Sequence, residues 1–137
     1  MGRVTRLISI ATTAASAIRN VASSATRRIS GIRETVREAR TAVSNIADAA
    51  RDAKSSIADM KSKALAELND ALSAIRGELD GLRSANPQIG EVADDAVVCK
   101  AQAALMVEKE VISAIAEIEC CAAELTAEIE CAGLEAA

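Results

Sequence analysis

The sequence contains no Phe, Tyr, Trp or His, and it has one Pro and six Gly among its 137 residues. Aromatic side chains normally bury ~150–250 Å² each and dominate globular cores, so a chain without them has to bury many small contacts along extended lines. Scarce Pro and Gly argue against a β-protein, which needs frequent turns. These absences predict an all-α protein of long amphipathic helices, arranged as an antiparallel coiled coil or helical bundle that is extended rather than globular.

The absence of histidine also limits the chemistry, because His is the usual general base and a common metal ligand. Cys120 and Cys121 therefore have no imidazole to activate them as nucleophiles. A glutamate cluster lacks the Glu-x-x-His motifs of di-iron bundles and is typical of a solvated helix face. No Gly-rich phosphate loop is present. We therefore expect no enzyme activity, no metal site and no cofactor; the clustered glutamates are Glu117, Glu119, Glu124, Glu128 and Glu130.

Long apolar runs are missing as well. No stretch of about 18 apolar residues occurs, which predicts that no helix spans a membrane. The first residues share some features with a secretory signal, namely Arg3, Arg6 and a small-residue triplet at 15–17. Polar residues such as Ser9 interrupt the apolar run, and the run is in phase with the helical pattern of the residues after it. We therefore interpret it as part of a helix.

A seven-residue periodicity is the strongest positive signal. Alternating steps of three and four residues from Met1 to Met60 meet apolar residues at all 18 positions, as in a coiled coil. The register then shifts by one residue and continues to Leu82 with a leucine-rich character. We predict that helices assemble on this seam through Ile8, Ile18, Ile29, Ile32, Val36, Val43, Ile46, Ile57, Leu65, Leu68, Leu72, Ile75, Leu79 and Leu82.

One clear helix breaker divides the chain, the segment 84–90 with Pro87. It predicts a long helix over 1–84, a turn at 85–90, a second helix over 91–132 and a tail at 133–137 that begins with Gly133 as a cap. At 1.5 Å per residue the first helix would be ~120 Å long and the second ~63 Å. The second helix can therefore cover only residues 43–84, which leaves the seam of residues 1–42 without a partner.

Two arrangements solve this problem. The long helix breaks near 42–45 and forms a three-helix bundle, with the basic first helix against the acidic third. Alternatively it stays continuous and another chain covers its first half. No Gly or Pro enforces a turn at 42–45, and we favour the continuous helix with oligomerisation.

The charge distribution supports self-association. Residues 1–40 carry eight Arg and two Glu, a net +6, whereas residues 91–137 carry two Lys and eleven acidic residues, a net −9. Segments of opposite sign attract each other within or between chains, so we predict a homo-oligomer. The arginines come without stacking aromatics or a recognisable motif, and we expect no nucleic-acid partner.

All four cysteines, Cys99, Cys120, Cys121 and Cys131, lie in the last 39 residues. In one helix Cys120 and Cys131 are ~16 Å apart along the axis, whereas a disulfide needs Cα atoms within ~7 Å. Disulfides would therefore join different chains, unless a hairpin near 108–110 brings Cys99 opposite Cys120 or Cys121. The alternative to disulfides is that the cysteines are free thiols, which act as small buried hydrophobes in a reducing compartment. We favour structural disulfides, and with them a secreted, extracellular location.

The alanine-rich heptads over 1–82 and 111–132 resemble those of insect coiled-coil silk and adhesive-type proteins at the level of pattern. The resemblance implies a structural, self-assembling protein that forms a fibre, adhesive or scaffold. The alternative is an amphipathic lipid- or interface-binding protein, similar to insect exchangeable apolipoproteins in helix length and polarity. Its partner would be a lipid surface, although the apolar stripe is narrow and lacks the Trp and Phe that an interface favours.

Overall fold

The computed structural model describes the backbone of residues 2–82 and 89–136, with side chains for 5–82 and 92–132. Three helices account for these residues: α1 is Gly2–Thr35, α2 is Ala39–Leu82 and α3 is Ile89–Ala136. Each helix packs against both of the others. The prediction of an all-α protein is confirmed, and the helices form a bundle. Most of the predicted turn at 85–90 lies outside the described residues.

The prediction of one continuous helix over 1–84 is wrong. The helix ends at Thr35 and a new one begins at Ala39, several residues before the break considered at 42–45. Residues 36–38 link the two helices, and local hydrogen bonds lie on either side of them. The Thr35 hydroxyl donates to the Gly31 carbonyl at 2.9 Å, and the Ala42 amide donates to the Glu38 carbonyl at 2.9 Å.

Burial of the first helix explains why the chain breaks without Gly or Pro. Leu7, Ile18 and Ile29 are fully buried in the bundle, and burying each such side chain stabilises the fold by ~1.5–3 kcal/mol. The interruption forfeits a few backbone hydrogen bonds, each with a net contribution of ~0.5–1.5 kcal/mol. Folding α1 back is therefore favoured over leaving its apolar face in water.

Charged side chains show the direction of each helix. Arg19 of α1 pairs with Glu110 of α3 through two bonds of 3.1 and 3.3 Å, and Arg33 pairs with Glu128 further along both helices. These pairs show that α1 and α3 run in the same direction, while α2 returns between them. The arrangement places the basic helix against the acidic one, as the three-helix alternative predicted. Exposed pairs of this kind contribute only ~0–1 kcal/mol each, so they fix alignment more than stability.

An 11-residue spacing organises the core. The largest fully buried side chains fall on three series with this spacing, one in each helix. Eleven residues make three turns of about 3.67 residues, so a series drifts by only ~20° per repeat, less per residue than a heptad and in the opposite sense. The series are Leu7, Ile18 and Ile29 in α1, Ile46, Ile57, Leu68 and Leu79 in α2, and Val107 and Ile118 in α3.

The 11-residue register corrects the heptad prediction. The two patterns share the positions from Ala11 to Ile29, but the heptad selects Ile8 where the structure buries Leu7, and Ile8 is 47% exposed. The predicted one-residue shift between Met60 and Leu65 is also unnecessary, because Ile57 and Leu68 follow each other in one series. The apparent heptad is therefore part of a longer repeat.

The third helix differs from its predicted bounds. It extends over Ile89–Ala136 instead of 91–132, so Gly133 lies within a helix rather than capping it. A glycine inside a helix costs only ~1 kcal/mol relative to alanine, which is insufficient to end a helix by itself. The helix also continues through 108–110, so the hairpin considered there does not form.

Ile18→Ala and Ile8→Ala separate the two registers, because the heptad places both residues in the seam and the structure buries only Ile18. We expect Ile18→Ala to lower the free energy of unfolding by ~2–5 kcal/mol because it leaves a cavity. Ile8→Ala, the matched control in the same helix, should lower it by less than about 1 kcal/mol. Urea denaturation followed by circular dichroism measures both. An equal loss of unfolding free energy in the two variants would instead support the heptad register.

Candidate functional site

The predicted assembly seam lies mainly inside the bundle. Seven of its residues are buried: Ile18, Ile29, Ile46, Ile57, Leu68, Ile75 and Leu79. Five are half-buried: Ile32, Val36, Val43, Leu65 and Leu72. Two, Ile8 and Leu82, are exposed. Most of this seam is therefore used within one chain, and a surface for a second chain has to be sought elsewhere.

The outer face of α3 carries large aliphatic side chains in water. Val98 is 56% exposed, Leu105 is 54% exposed and Ile112 is 70% exposed. The three residues follow each other at seven-residue intervals, so they lie on one side of the helix. Exposed alanines continue the same line towards the end of the helix. We call this set the outer stripe; it comprises Val98, Leu105, Ile112, Ala116, Ala123 and Ala127.

The outer stripe points away from the bundle. At 100° per residue its members fall within roughly 40° of Val98, in a sector that also contains Gln102, Lys109 and Glu130. The buried residues Ala96, Val107 and Ile118 fall about 160–200° away. The helix therefore carries apolar residues on two opposite sides, and those of the outer side are interspersed with polar ones. One packs against α1 and α2, and the other has no covering element within the described chain. An amphipathic surface helix ordinarily needs only the first of these faces.

The seven-residue spacing of Val98, Leu105 and Ile112 is present in the sequence, but our prediction follows the inner seam of this helix, which contains Val111 and Ile118. Because α3 is apolar on two sides, one periodicity conceals the other. Helical position alone does not show which of two apolar faces a bundle will bury.

The four cysteines divide by exposure. Cys99 is buried in the core, Cys121 is half-buried at the contact with α1, and Cys120 and Cys131 are exposed. All four lie in the described part of the chain, and no disulfide joins any two of them. This agrees with the expectation that one continuous helix keeps them apart. Cys120 and Cys131 are therefore the two that another molecule can reach.

The pKa values of the Cys120 and Cys121 thiols are both raised, at Cys120 mainly by Glu124 and at Cys121 mainly by burial. The Cys120 thiol donates a hydrogen bond to Glu124 at 3.5 Å, and this bond together with the carboxylate charge raises the pKa of Cys120. Burial, followed by the charge of Glu124, raises the pKa of Cys121. A higher pKa leaves less thiolate at neutral pH, and thiolate is the reactive species. The arrangement therefore slows both alkylation and disulfide formation at these thiols.

The glutamates of α3 are used as surface ion partners. Glu119 accepts a hydrogen bond from Lys54 of α2 at 3.3 Å, and Glu128 forms an ion pair with Arg33 of α1. Glu124 accepts the hydrogen bond from the Cys120 thiol. Among the residues that the structure describes, no three Cys, Asp or Glu side chains converge to form a metal-binding group.

The side of the bundle between α1 and α2 is grooved. Two adjoining grooves of about 470 and 420 Å³ share Ala17 and Met60, and alanine is the commonest residue in their lining. Charges of both signs line them as well, Arg28 and Asp52 in one groove and Arg6, Lys63 and Glu67 in the other. No described helix has the length and apolar character needed to cross a lipid bilayer.

Comparison of the chain with protein-family models, curated protein sequences and solved structures finds no match. The function is therefore inferred from the chemistry of the chain's own surfaces.

Glu124→Gln tests the control of Cys120. Removing the carboxylate charge should lower the pKa of Cys120 towards its ordinary value, so alkylation at neutral pH should accelerate. Iodoacetamide labelling with peptide mass spectrometry reports each cysteine separately. Glu130→Gln is the matched control, since residue 130 lies ~15 Å along the helix from Cys120. Unchanged Cys120 labelling in Glu124→Gln would show that Glu124 does not govern this thiol.

Proposed function

We propose that this protein is a structural, self-associating helical protein without catalysis, and that its assembly surface is the outer stripe of α3. The exposure of Val98, Leu105 and Ile112 on the side opposite the core is the observation that supports the proposal. Covering a fully exposed side chain of this kind contributes ~1.5–3 kcal/mol, these partly exposed ones somewhat less, and no other part of the described chain covers them. Contiguous apolar patches on monomers commonly mark interaction sites.

The alanines of the outer stripe support a helix as the partner. Small side chains at residues 116, 123 and 127 allow another helix to approach closely. The stripe is ~44 Å long between residues 98 and 127. At a width of ~10 Å it presents ~400 Å² per chain, about half of a standard interface side. Association through this surface is therefore weak and depends on concentration.

Each chain has one outer stripe of limited size, and this favours some kinds of structural protein over others. One stripe per chain that binds another copy of itself closes as a two-fold dimer. A dimer of this kind suits a scaffold, whereas a fibre or adhesive needs a second contact. Cys120 and Cys131 are exposed near the stripe and supply that contact in an oxidising, extracellular setting. The extracellular location is part of the proposal.

Charge does not drive the proposed association, since both copies of α3 carry a net negative charge. The opposite charges of α1 and α3 already meet within one chain, at Arg19 with Glu110 and at Arg33 with Glu128. Attraction between the basic and acidic segments is therefore used in folding. The apolar outer stripe remains as the feature that a second chain satisfies.

Sedimentation equilibrium of Leu105→Gln/Ile112→Gln tests the proposal. We expect the unaltered chain, kept reduced, to dimerise between micromolar and millimolar concentration, and the double variant to weaken dimerisation by at least about tenfold. Ile8→Gln/Leu82→Gln is the matched control, because these residues are 47% and 45% exposed but lie on other helices. Interference optics are required because the chain lacks aromatic absorption. A monomer throughout this range, or equal weakening by both variants, would refute the proposal.

A lipid- or interface-binding function is the second candidate. The grooves between α1 and α2 favour it, because small alanines in their lining leave space at which these two helices could separate on a lipid surface. The acidic character of residues 91–137, net −9, opposes binding to anionic membranes.

Flotation with phosphatidylcholine vesicles, with and without phosphatidylserine, separates the two candidates. We expect the protein to stay at the bottom of the gradient with both compositions, because its large apolar side chains are mostly enclosed and its outer stripe is narrow. An amphipathic peptide that binds membranes serves as the positive control for flotation. Co-flotation of the reduced protein would favour the lipid candidate instead.

A further inference from the structure

We infer that two copies of the chain pair through the outer stripe in antiparallel orientation, with Ile112 of one chain opposite Ala116 of the other and Leu105 opposite Ala123. The inference rests on the proposed self-association and adds its direction and register. Three properties of the stripe support it: the order of large and small side chains, the distribution of charge, and the position of the exposed cysteines.

The outer stripe changes in size along its length. Its first half carries Val98, Leu105 and Ile112, and its second half carries only alanines, at 116, 123 and 127. Parallel pairing in register would place large on large in one half and alanine on alanine in the other. The distance between helix axes depends on the contacting side chains and varies between ~8 and ~10 Å, so parallel helices would have to splay.

Antiparallel pairing removes this mismatch. A two-fold axis level with residue 114 sets two of the three large residues against small ones, Ile112 against the partner subunit's Ala116 and Leu105 against the partner subunit's Ala123. Ala101 and Ala127, both exposed, come level with each other across the pair. The helices can then run at one constant separation along the stripe. Val98 ends the contact, level with residue 130.

Charge favours the same direction. The basic residues of α3 are Lys100 and Lys109, both in its first half, so residues 91–112 carry a net −3 and residues 113–136 a net −6. Parallel pairing would set the wholly acidic halves side by side, whereas antiparallel pairing sets each against the half with the lysines. Lys109 then comes level with the partner subunit's Glu119, which already pairs with Lys54 at 3.3 Å in its own chain. Opposed helix dipoles add a small contribution in the same direction.

The register also places the exposed cysteines apart. Cys120 of one chain lies ~18 Å along the axis from Cys120 of the other, and the two Cys131 residues lie ~51 Å apart. Cys99 comes close to the level of the partner subunit's Cys131, but it is buried inside its own bundle. A disulfide needs Cα atoms within ~7 Å. No disulfide therefore forms inside the pair. When an oxidant such as dioxygen accepts two electrons, two thiols from different pairs lose their protons, and the disulfide that they form joins one pair to another.

Two single-cysteine variants test direction and register together. Leu105→Cys and Ala123→Cys are each made in a chain whose four native cysteines are replaced by alanine or serine. Both positions are exposed, so neither change opens the core. The variants are mixed at a concentration at which sedimentation shows dimers under reducing conditions, then oxidised briefly and separated on a non-reducing gel with one variant carrying a mass tag.

We expect the mixed disulfide between positions 105 and 123 to exceed either homodimer by about tenfold, because two residues at position 105 lie ~27 Å apart in the antiparallel pair. Homodimers of each variant without the mixed species would indicate parallel pairing and overturn the inference while leaving self-association intact. Dimers that form no disulfide of either kind would place the interface elsewhere and also overturn it. A monomeric unaltered chain in the same concentration range would instead refute the proposed function itself, whereas Leu105→Cys alone shortens a side chain of the stripe and can weaken the dimer.

The native protein gives a second measurement that needs no substitution. Oxidation at the lowest concentration at which sedimentation shows dimers should yield no covalent dimer, and oxidation at high concentration should yield a ladder. Rapid formation of a covalent dimer through Cys120 at low concentration would contradict the antiparallel register.

Discussion

The packing of aliphatic side chains at every third helical turn is the interaction on which this bundle depends. The largest fully buried side chains share one 11-residue spacing in all three helices, including Ile18, Ile57 and Ile118. Because this spacing is close to a whole number of turns, each face drifts by only ~20° every 11 residues along helices of 34, 44 and 48 residues. The same regularity keeps the outer residues of α3 close to one line, so that its apolar residues form a stripe rather than scattered positions.

The fold class is predictable from the sequence, but the topology is not. Missing aromatics and scarce Gly and Pro suffice to predict an all-α protein. The break at 36–38 carries no such signal, because Val36, Arg37 and Glu38 are all compatible with a helix. What breaks the helix is the burial of Leu7, Ile18 and Ile29 against the other helices. That gain arises between distant segments and has no counterpart in the local sequence.

The candidate surface shows a similar limit. The sequence places the cysteines on one continuous helix, and their separation along it results from helical geometry. The seam, in contrast, is predicted to contact another chain only because a continuous first helix would leave it uncovered. Once α1 folds back, residues such as Ile29 and Ile46 are enclosed within the chain. The uncovered apolar surface then lies on the far side of α3, where Ile112 is exposed.

A core built on alanine responds to mutation differently from a core of large side chains. In most proteins the damaging core changes remove volume, because large side chains fill the interior. Here Ala22, Ala53 and Ala114 are among the residues that hold the helices in contact, and all three are buried. Adding methylenes to a closely packed site costs ~1–3 kcal/mol, since neighbouring side chains and backbone have to move. Gains of volume at these positions are therefore as harmful as losses, and random substitution is restricted in both directions of size.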